Sequence, residues 1–386
     1  MRRRLTLLAA ATLCAGAAAG TAAALRAADP LQGQEWFLAA VGADQSAPPG
    51  PGVPLTILDS GVDATQPDLA GRPGTTYLNA QTVSGTGEFH GTEVASVAAA
   101  PANGIGIVGV YPQAQLDVWD ATPTPGSITS STIAAGIAAA HCPGVVNLSF
   151  GSMSRDPVVD RAIVAAQRRG CLIVAAAGNL AEQGNPTVYP AADLHVLAVG
   201  ASDQADAPTP FTSTGPWVDL FAPGVGIETD TTLEHDPSGN VMDGGTSFSS
   251  AIVAAAAAWV WTERPKLSAA QVFALITGTA QNGVLNIPAA LAAPAPPNDP
   301  REPNDTVAEA AAQPPLTTKA HPSARIAATL DAAKDPRDLY RLYIPKGKHV
   351  RLTVTGPVVA RVVGSYAQVT LRGATSGRYV LSVRAD

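Results

Sequence analysis

Ten consecutive residues, Ile252 to Trp261, carry no charge and no hydroxyl, and five of them in a row are alanines. A helix that is apolar on every side must be enclosed by protein or by lipid. Ten residues are too few for a bilayer, whose core takes about 20, so the run predicts a helix sealed inside a large domain and no membrane span. Just before it stands Gly245-Thr246-Ser247-Phe248-Ser249-Ser250-Ala251. Ser247 is thereby placed at a helix N-terminus, where unpaired N–H groups and the helix dipole favour negative charge. It is either a simple cap or a nucleophile whose oxyanion would be stabilised on the spot. The choice depends on whether the chain also supplies a base, a carboxylate to orient it and a second oxyanion donor.

The rest of the chain can build such a site. Its 386 residues are 46% hydrophobic, enough for one large domain and a small one. Charge is unevenly spread: residues 25–300 hold 8 Lys+Arg against 24 Asp+Glu, whereas residues 301–386 hold 13 against 7. An acidic main body argues against nucleic-acid binding, and the change of sign marks two regions of different role. Met1-Arg2-Arg3-Arg4 followed by a Leu/Ala run reads as a secretory signal peptide over 1–24, hence an exported protein, extracellular or periplasmic. Cys142 and Cys171 each precede a strand-like apolar run. In an exported chain they form either a disulfide or two buried thiols, and their Cα separation decides.

Strand and helix patterns alternate from Leu55 onward. Strands are expected at Leu55–Leu58, Leu116–Trp119, Val145–Ser149, Leu172–Ala176 and His195–Val199. Helices are expected from His90, over Ile128–Ala140, over Pro157–Arg169 behind the cap Asp156, over Ser247–Thr262 and over Ser268–Thr279. This alternation predicts an α/β fold with a doubly wound parallel sheet flanked by helices. The large domain is assigned to 25–287, a Pro/Ala-rich linker to 288–300, and a small antiparallel β domain to 301–386, where Val350-Arg351-Leu352-Thr353-Val354 alternates with period two. Sites in parallel sheets form beyond the carboxyl ends of the strands, and Asp59, Ser149 and Asn179 fall there.

Two motifs are set aside. Gly104-Ile105-Gly106-Ile107-Val108-Gly109 fits a dinucleotide fingerprint, but no strand precedes it and Tyr111-Pro112 follows where a helix should begin. Asn147-Leu148-Ser149-Phe150-Gly151 looks like a nucleophile elbow, yet no helix starts behind it. The constellation that remains is Asp59, His90, Asn179 and Ser247: a carboxylate to hold an imidazole, an imidazole to shuttle the serine proton, and an amide for the oxyanion. Each alone could be a cap or turn residue.

These residues stand in motifs that resemble the subtilisin-like (S8) serine peptidases: Asp59-Ser60-Gly61-Val62-Asp63, His90-Gly91-Thr92, Ala175-Ala176-Ala177-Gly178-Asn179 and Gly245-Thr246-Ser247, in the family's order across about residues 28–280. The resemblance implies a secreted serine endopeptidase acting on protein or peptide through an acyl-enzyme, as a monomer. Ser247 would be nucleophile, His90 base and then acid, and Asp59 orienter, with the oxyanion held by Asn179 and the Ser247 N–H beside Thr246. Ser149, Phe150 and Gly151 would pair with the substrate backbone, with Ala177, Gly178 and Val188 around its side chain. Val188 stands where relatives often have glycine, which predicts a shallow pocket for small or medium apolar residues.

No cofactor is required for such chemistry. The resemblance extends to a structural calcium site at Asp68 and the Asn103 loop, with an ordinary turn aspartate and loop asparagine as the alternative. Glu302-Pro303-Asn304-Asp305 and Asp335–Tyr343 resemble pre-peptidase C-terminal domains. No propeptide of family length fits between Ala24 and Trp36. Phe89, Glu93, Phe248, Ala251 and Gln66 depart from the family pattern around the site, so a catalytically weak or inactive binding protein on the same fold is the alternative, and Glu93 is expected to raise the pKa of His90.

Overall fold

The computed structural model describes residues 29–386 except 84–87, 123–127, 300, 348, 375 and 386, so the expected signal peptide lies outside the described residues. The elements run α1 (Trp36–Ala40), β1 (Leu55–Asp59), β2 (Thr75–Tyr77), α2 (His90–Ala99), β3 (Leu116–Asp120), α3 (Ser130–Ala139) and β4 (Gly144–Leu148). They continue with α4 (Pro157–Arg168), β5 (Cys171–Ala176), β6 (Val196–Ser202), β7 (Leu220–Pro223), β8 (Ile227–Asp230), β9 (Asn240–Asp243), α5 (Thr246–Glu263), α6 (Ala269–Gly278) and α7 (Ile287–Ala292). Then come α8 (Val307–Ala312), β10 (Ser323–Leu330), β11 (Arg337–Arg341), β12 (Val350–Thr355), β13 (Val358–Val363), β14 (Tyr366–Leu371) and β15 (Gly377–Ala385).

Seven parallel strands form the main sheet in the order β2-β3-β1-β4-β5-β6-β7. The order reverses between β1 and β4, so a crevice opens beyond their carboxyl ends. Both faces of the sheet are covered, which is why its strands read as continuous apolar runs. Ile57, Val145 and Val174 face a core shared with α2 and α5. Leu58, Val146 and Ile173, one residue along each strand, face a second core built with α3 and α4. The ten residues Ile252–Trp261 are all buried, as an all-apolar helix requires. Cys142 and Cys171 are joined in a disulfide with Cα atoms 5.0 Å apart, which settles the choice between a bridge and two thiols.

The C-terminal strands form two antiparallel sheets, β10-β15-β12 and β11-β14-β13, around a small core that includes Leu330, Tyr340, Val369 and Leu381. Several expected boundaries move. The strand expected from His195 starts at Val196, because His195 adopts φ 56° and cannot extend. The helix expected from Ile128 starts at Ser130, behind a Thr129/Thr132 capping box. The expected linker at 288–300 is occupied at its start by α7, whose proline sits in the first turn, where its missing N–H is not needed. β10 and β13 escaped the period-two reading because alanines dilute the first and four of the six residues in the second are exposed.

Candidate active site

Asp59 closes β1 and His90 opens α2. Ser60 fastens the two together: its hydroxyl accepts the Gly91 N–H at 3.0 Å and donates to the Glu88 carbonyl at 3.1 Å. The helix start lies so close to β1 that a Cβ on Gly91 would stand 2.2 Å from the Gly61 carbonyl oxygen, so only glycine fits. This brings His90 Nδ1 to 2.8 Å from Asp59 Oδ1. Asp59 is buried, and the imidazole is 34% exposed. Its free face is therefore open to a substrate while its inner nitrogen is held.

Ser247 is the second residue of α5, where its N–H has no helical partner. The Phe248 ring lies 6.3 Å from the His90 ring, so the serine segment and the imidazole face one another. Ser247 Oγ donates to the Ser149 carbonyl at 3.2 Å rather than to His90. Asn179, three residues beyond β5, accepts the Thr246 N–H at 3.0 Å and the Thr246 hydroxyl at 2.9 Å on Oδ1. That fixes the amide so that Nδ2 points away from Thr246, and a Cβ on Gly245 would come within 3.2 Å of it. The Thr246 hydroxyl, which also accepts the Gly178 N–H at 3.2 Å, orients the donor and is not itself free to donate to an oxyanion.

Ser149 turns its side chain inward, donating to the Ser247 carbonyl at 2.9 Å and accepting from Asn147 Nδ2 at 2.8 Å. A substrate could meet only its backbone, together with that of the half-buried Phe150 and exposed Gly151. Val188 is 2% exposed. Its methyls lie 2.4 Å from where a Gly151 Cβ would stand and 2.7 Å from where a Gly178 Cβ would stand. The valine thus fills the space between the Ser149–Gly151 and Ala177–Asn179 segments.

The residues around the constellation are mostly packing. Phe248 and Ala251 are buried in the main core, Phe89 stacks on His235 at 3.6 Å, and Gln66 Oε1 accepts the Asp68 N–H at 2.7 Å. Glu93 is different. It is fully buried one turn below His90, with Oε1 accepting from the Thr231 hydroxyl at 2.8 Å and Oε2 unpartnered. Burial pulls the His90 pKa down, but the charge and hydrogen bond of Asp59, then Glu93 and Asp243, outweigh it and raise it to about 9. Burial likewise raises Glu93 to about 7, against the Thr231 hydrogen bond and the His90 charge. Asp243 was not singled out from sequence, and nothing in its local pattern marks it.

Asp68 and Asn103 do meet, through hydrogen bonds from the Asn103 side chain to Asp68. Asp68 accepts Asn103 Nδ2 at 2.9 Å and the Ile107 N–H at 3.0 Å, and Asp29 Oδ1 accepts the N–H groups of Asn103 and Gly104 at 3.0 and 2.8 Å. Asp230, whose Oδ2 is buried and unpartnered, lies beside Asp68, so carboxylate oxygens of the kind calcium takes are present at the same place. Among the described residues, the groups close enough to share a metal ion are His195, Glu302, Asp305 and Asp335, and Asp299, Glu302 and Asp338, away from Asp68.

The sequence from residue 50 to 301 matches the model of the Subtilase family. The chain is 37% identical over 225 residues to Subtilisin Savinase from Lederbergia lenta, covering 58% of this chain and 81% of that one. It is also 37% identical over 225 residues to Alkaline protease from Alkalihalobacillus alcalophilus, covering 58% of this chain and 57% of the relative. Among solved structures, S41 Psychrophilic Protease superposes with a TM-score of 0.54 at 26% identity, over 64% of this chain and 90% of that one. A cold-adapted subtilisin-like serine proteinase superposes with a TM-score of 0.52 at 27% identity, over 60% of this chain and 84% of that one. A parallel sheet with Asp59, His90, Asn179 and Ser247 at one end, in a chain matched over most of that sheet, places this protein in the subtilase family of serine-type endopeptidases.

Proposed function

We propose that the chain is an active, exported peptidase that hydrolyses peptide bonds through Ser247, His90 and Asp59. The observation that carries this is the 2.8 Å His90–Asp59 contact facing a serine at the mouth of α5. A turn about the Ser247 Cα–Cβ bond moves its O–H from the Ser149 carbonyl to His90, and such contacts tighten when substrate binds. The hydroxyl attacks the scissile carbonyl as His90 takes its proton. Asn179 Nδ2 and the Ser247 N–H receive the oxyanion, and His90 returns the proton to the leaving amine. Water then repeats the sequence on the acyl-enzyme. Val188 restricts the residue before the cut to small or medium apolar side chains. Residues 25–287 carry the chemistry and 301–386 an accessory β domain.

The Ser247–Ser149 hydrogen bond favours a second reading, a non-catalytic binding protein on the same fold. A fluorophosphonate probe separates the two. Labelling of the wild type and none of Ser247→Ala is expected, and an unlabelled but folded wild type rules out the enzyme reading. A peptide library checks the pocket, where a strong preference for Phe, Tyr or Lys before the cut contradicts the role given to Val188.

A further inference from the structure

A buried lysine is rare unless its ammonium is fully engaged. Lys334, in the turn between β10 and β11, is 3% exposed, and all its Nζ partners belong to the large α/β unit. It donates to the Ala191 carbonyl at 2.6 Å and to the Val196 carbonyl at 2.8 Å, with Asp219 Oδ2 at 3.6 Å. The turn that presents it is itself held, because Asp331 Oδ1 accepts the Lys334 N–H at 2.8 Å. Beside it the Lys334 carbonyl accepts the His195 N–H at 3.1 Å, and the His195 ring meets Asp305 at 2.6 Å. The segment Ala191–Val196 is therefore gripped from the C-terminal region at four points.

That segment is continuous with the wall of the substrate pocket. Ala192 N–H donates to the Val188 carbonyl at 2.9 Å, and Asp193 N–H to the Pro190 carbonyl at 2.9 Å, closing residues 188–193 into one compact turn. At its other end Tyr189 exchanges two 2.8 Å backbone hydrogen bonds with Ser152, next to the strand expected to bind substrate. Val188 projects from this turn into the gap between Gly151 and Gly178. A shift of the Ala191 carbonyl therefore moves the base on which the Val188 side chain stands.

We infer that Lys334 is a positioning residue for substrate selection: the C-terminal β region, through its ammonium, holds the Val188 wall in place. The inference rests on the peptidase reading above, with the pocket bounded by Val188. Charge-assisted bonds to two carbonyls are among the stronger contacts available in a protein interior. Replacing the ammonium by a thioether keeps the packing and leaves both carbonyls without their donor. The turn then relaxes, and the pocket accepts larger side chains. A lysine that only docks the C-terminal region would change stability and leave selectivity alone.

The test uses the full chain as wild type, Lys334→Met, Lys334→Gln, Val188→Gly and the Lys334→Met/Val188→Gly pair. Active sites are counted with a fluorophosphonate, and kcat and KM are measured on peptides differing only in Ala or Phe before the cut. Lys334→Met is expected to reduce the Ala-over-Phe ratio of kcat/KM about tenfold, the scale on which a pocket discriminates small changes of side-chain volume. The change should fall mainly in KM for the Phe peptide. Lys334→Gln, which keeps an N–H donor and covers the case in which the thioether variant does not fold, should move the ratio the same way by less. In the Val188→Gly background the lysine change should have no further effect on the ratio, a non-additivity that marks coupling through the valine. An unchanged ratio in whichever lysine variant folds overturns the inference, as does the same shift with and without Val188. A folded wild type that takes up no fluorophosphonate overturns instead the peptidase reading on which it stands.

Discussion

Among the described residues, two histidine–aspartate pairs of nearly the same length have their aspartates on neighbouring strands of the main sheet. His90 meets Asp59 at 2.8 Å, and His141 meets Asp117 at 2.7 Å. Both aspartates are buried, and both lie on strands of the main sheet that pair with each other in register. Asp59 is the last residue of β1, whereas Asp117 is the second residue of β3. The first pair therefore opens into the crevice beyond the carboxyl ends, with Ser247 and Asn179, while the second lies toward the opposite end of the sheet. Its imidazole side chain is 61% exposed, against 34% for His90. On the proposed reading, a histidine held by a buried carboxylate is not by itself a catalytic signature. What distinguishes the first pair is its surroundings: a serine at a helix N-terminus and an amide fixed in orientation.

The widest difference should appear when the same change is made at both pairs. Asp59→Asn leaves an acceptor in place but no charge to hold the correct tautomer or stabilise the imidazolium. It should lower turnover by about 10⁴, the size of this effect in serine-protease triads, including subtilisins, where it has been measured. Asp117→Asn should leave kcat/KM within about twofold, since no reacting atom is near it. Stability should change little as well, because burial raises the Asp117 pKa and the His141 contact only partly offsets that, so an uncharged amide costs within about 1 kcal/mol. A comparable loss of activity in both variants would refute the distinction between the pairs.

The sequence marks the first pair and not the second. Asp59 is followed by Ser60-Gly61, and His90 by Gly91-Thr92, small residues that only a close approach of strand end and helix start requires. His141 precedes Cys142 and a proline and carries no such mark. The apolar alternation of strands and helices gave the sheet its identity for the same reason: burial on both faces leaves a continuous hydrophobic trace. What stayed hidden depends on contacts distant along the chain. The direction of the Ser247 O–H, the hydrogen bonds that Asp68 accepts and the reach of Lys334 across 143 positions to Ala191 have no local pattern. Pro288 and its alanines read as loop composition yet lie in α7, because proline in a first turn begins a helix as readily as it ends one.

A smaller effect should follow from removing what the first pair has and the second lacks. Asn179→Ala deletes the side-chain amide proposed to receive the oxyanion and leaves the Ser247 N–H. Turnover should fall by about 10²–10³ with KM little changed, the loss known for this donor in subtilisin itself. Because Asn179 also accepts two hydrogen bonds from Thr246, Asn179→Asp serves as the companion variant. It keeps the acceptor and loses the donor, so a fall in turnover of the same order separates transition-state stabilisation from support of Thr246. A change confined to KM would place Asn179 outside the oxyanion site.

The smallest effect concerns Glu93, the second of the carboxylates that raise the His90 pKa. Catalysis needs neutral His90, so kcat/KM should climb with pH through the value of about 9 to which Asp59, Glu93 and Asp243 raise it over the opposing effect of burial. Glu93→Gln removes one of those charges. The imidazolium is then less favoured, the alkaline rise moves toward lower pH, and activity at pH 7.5 should increase about three- to tenfold relative to the plateau. Glu93 itself titrates at about 7, so the difference between the proteins should shrink below that pH as the native carboxyl takes up its proton. The stability linkage runs in the same direction. A histidine whose pKa is raised from 6.5 to about 9 on folding contributes stability that is complete below 6.5 and gone once the pH passes about 9. Across that window Glu93→Gln should lose less stability with rising pH than the wild type. A rate profile that does not move in Glu93→Gln would assign the alkaline rise to a group other than His90.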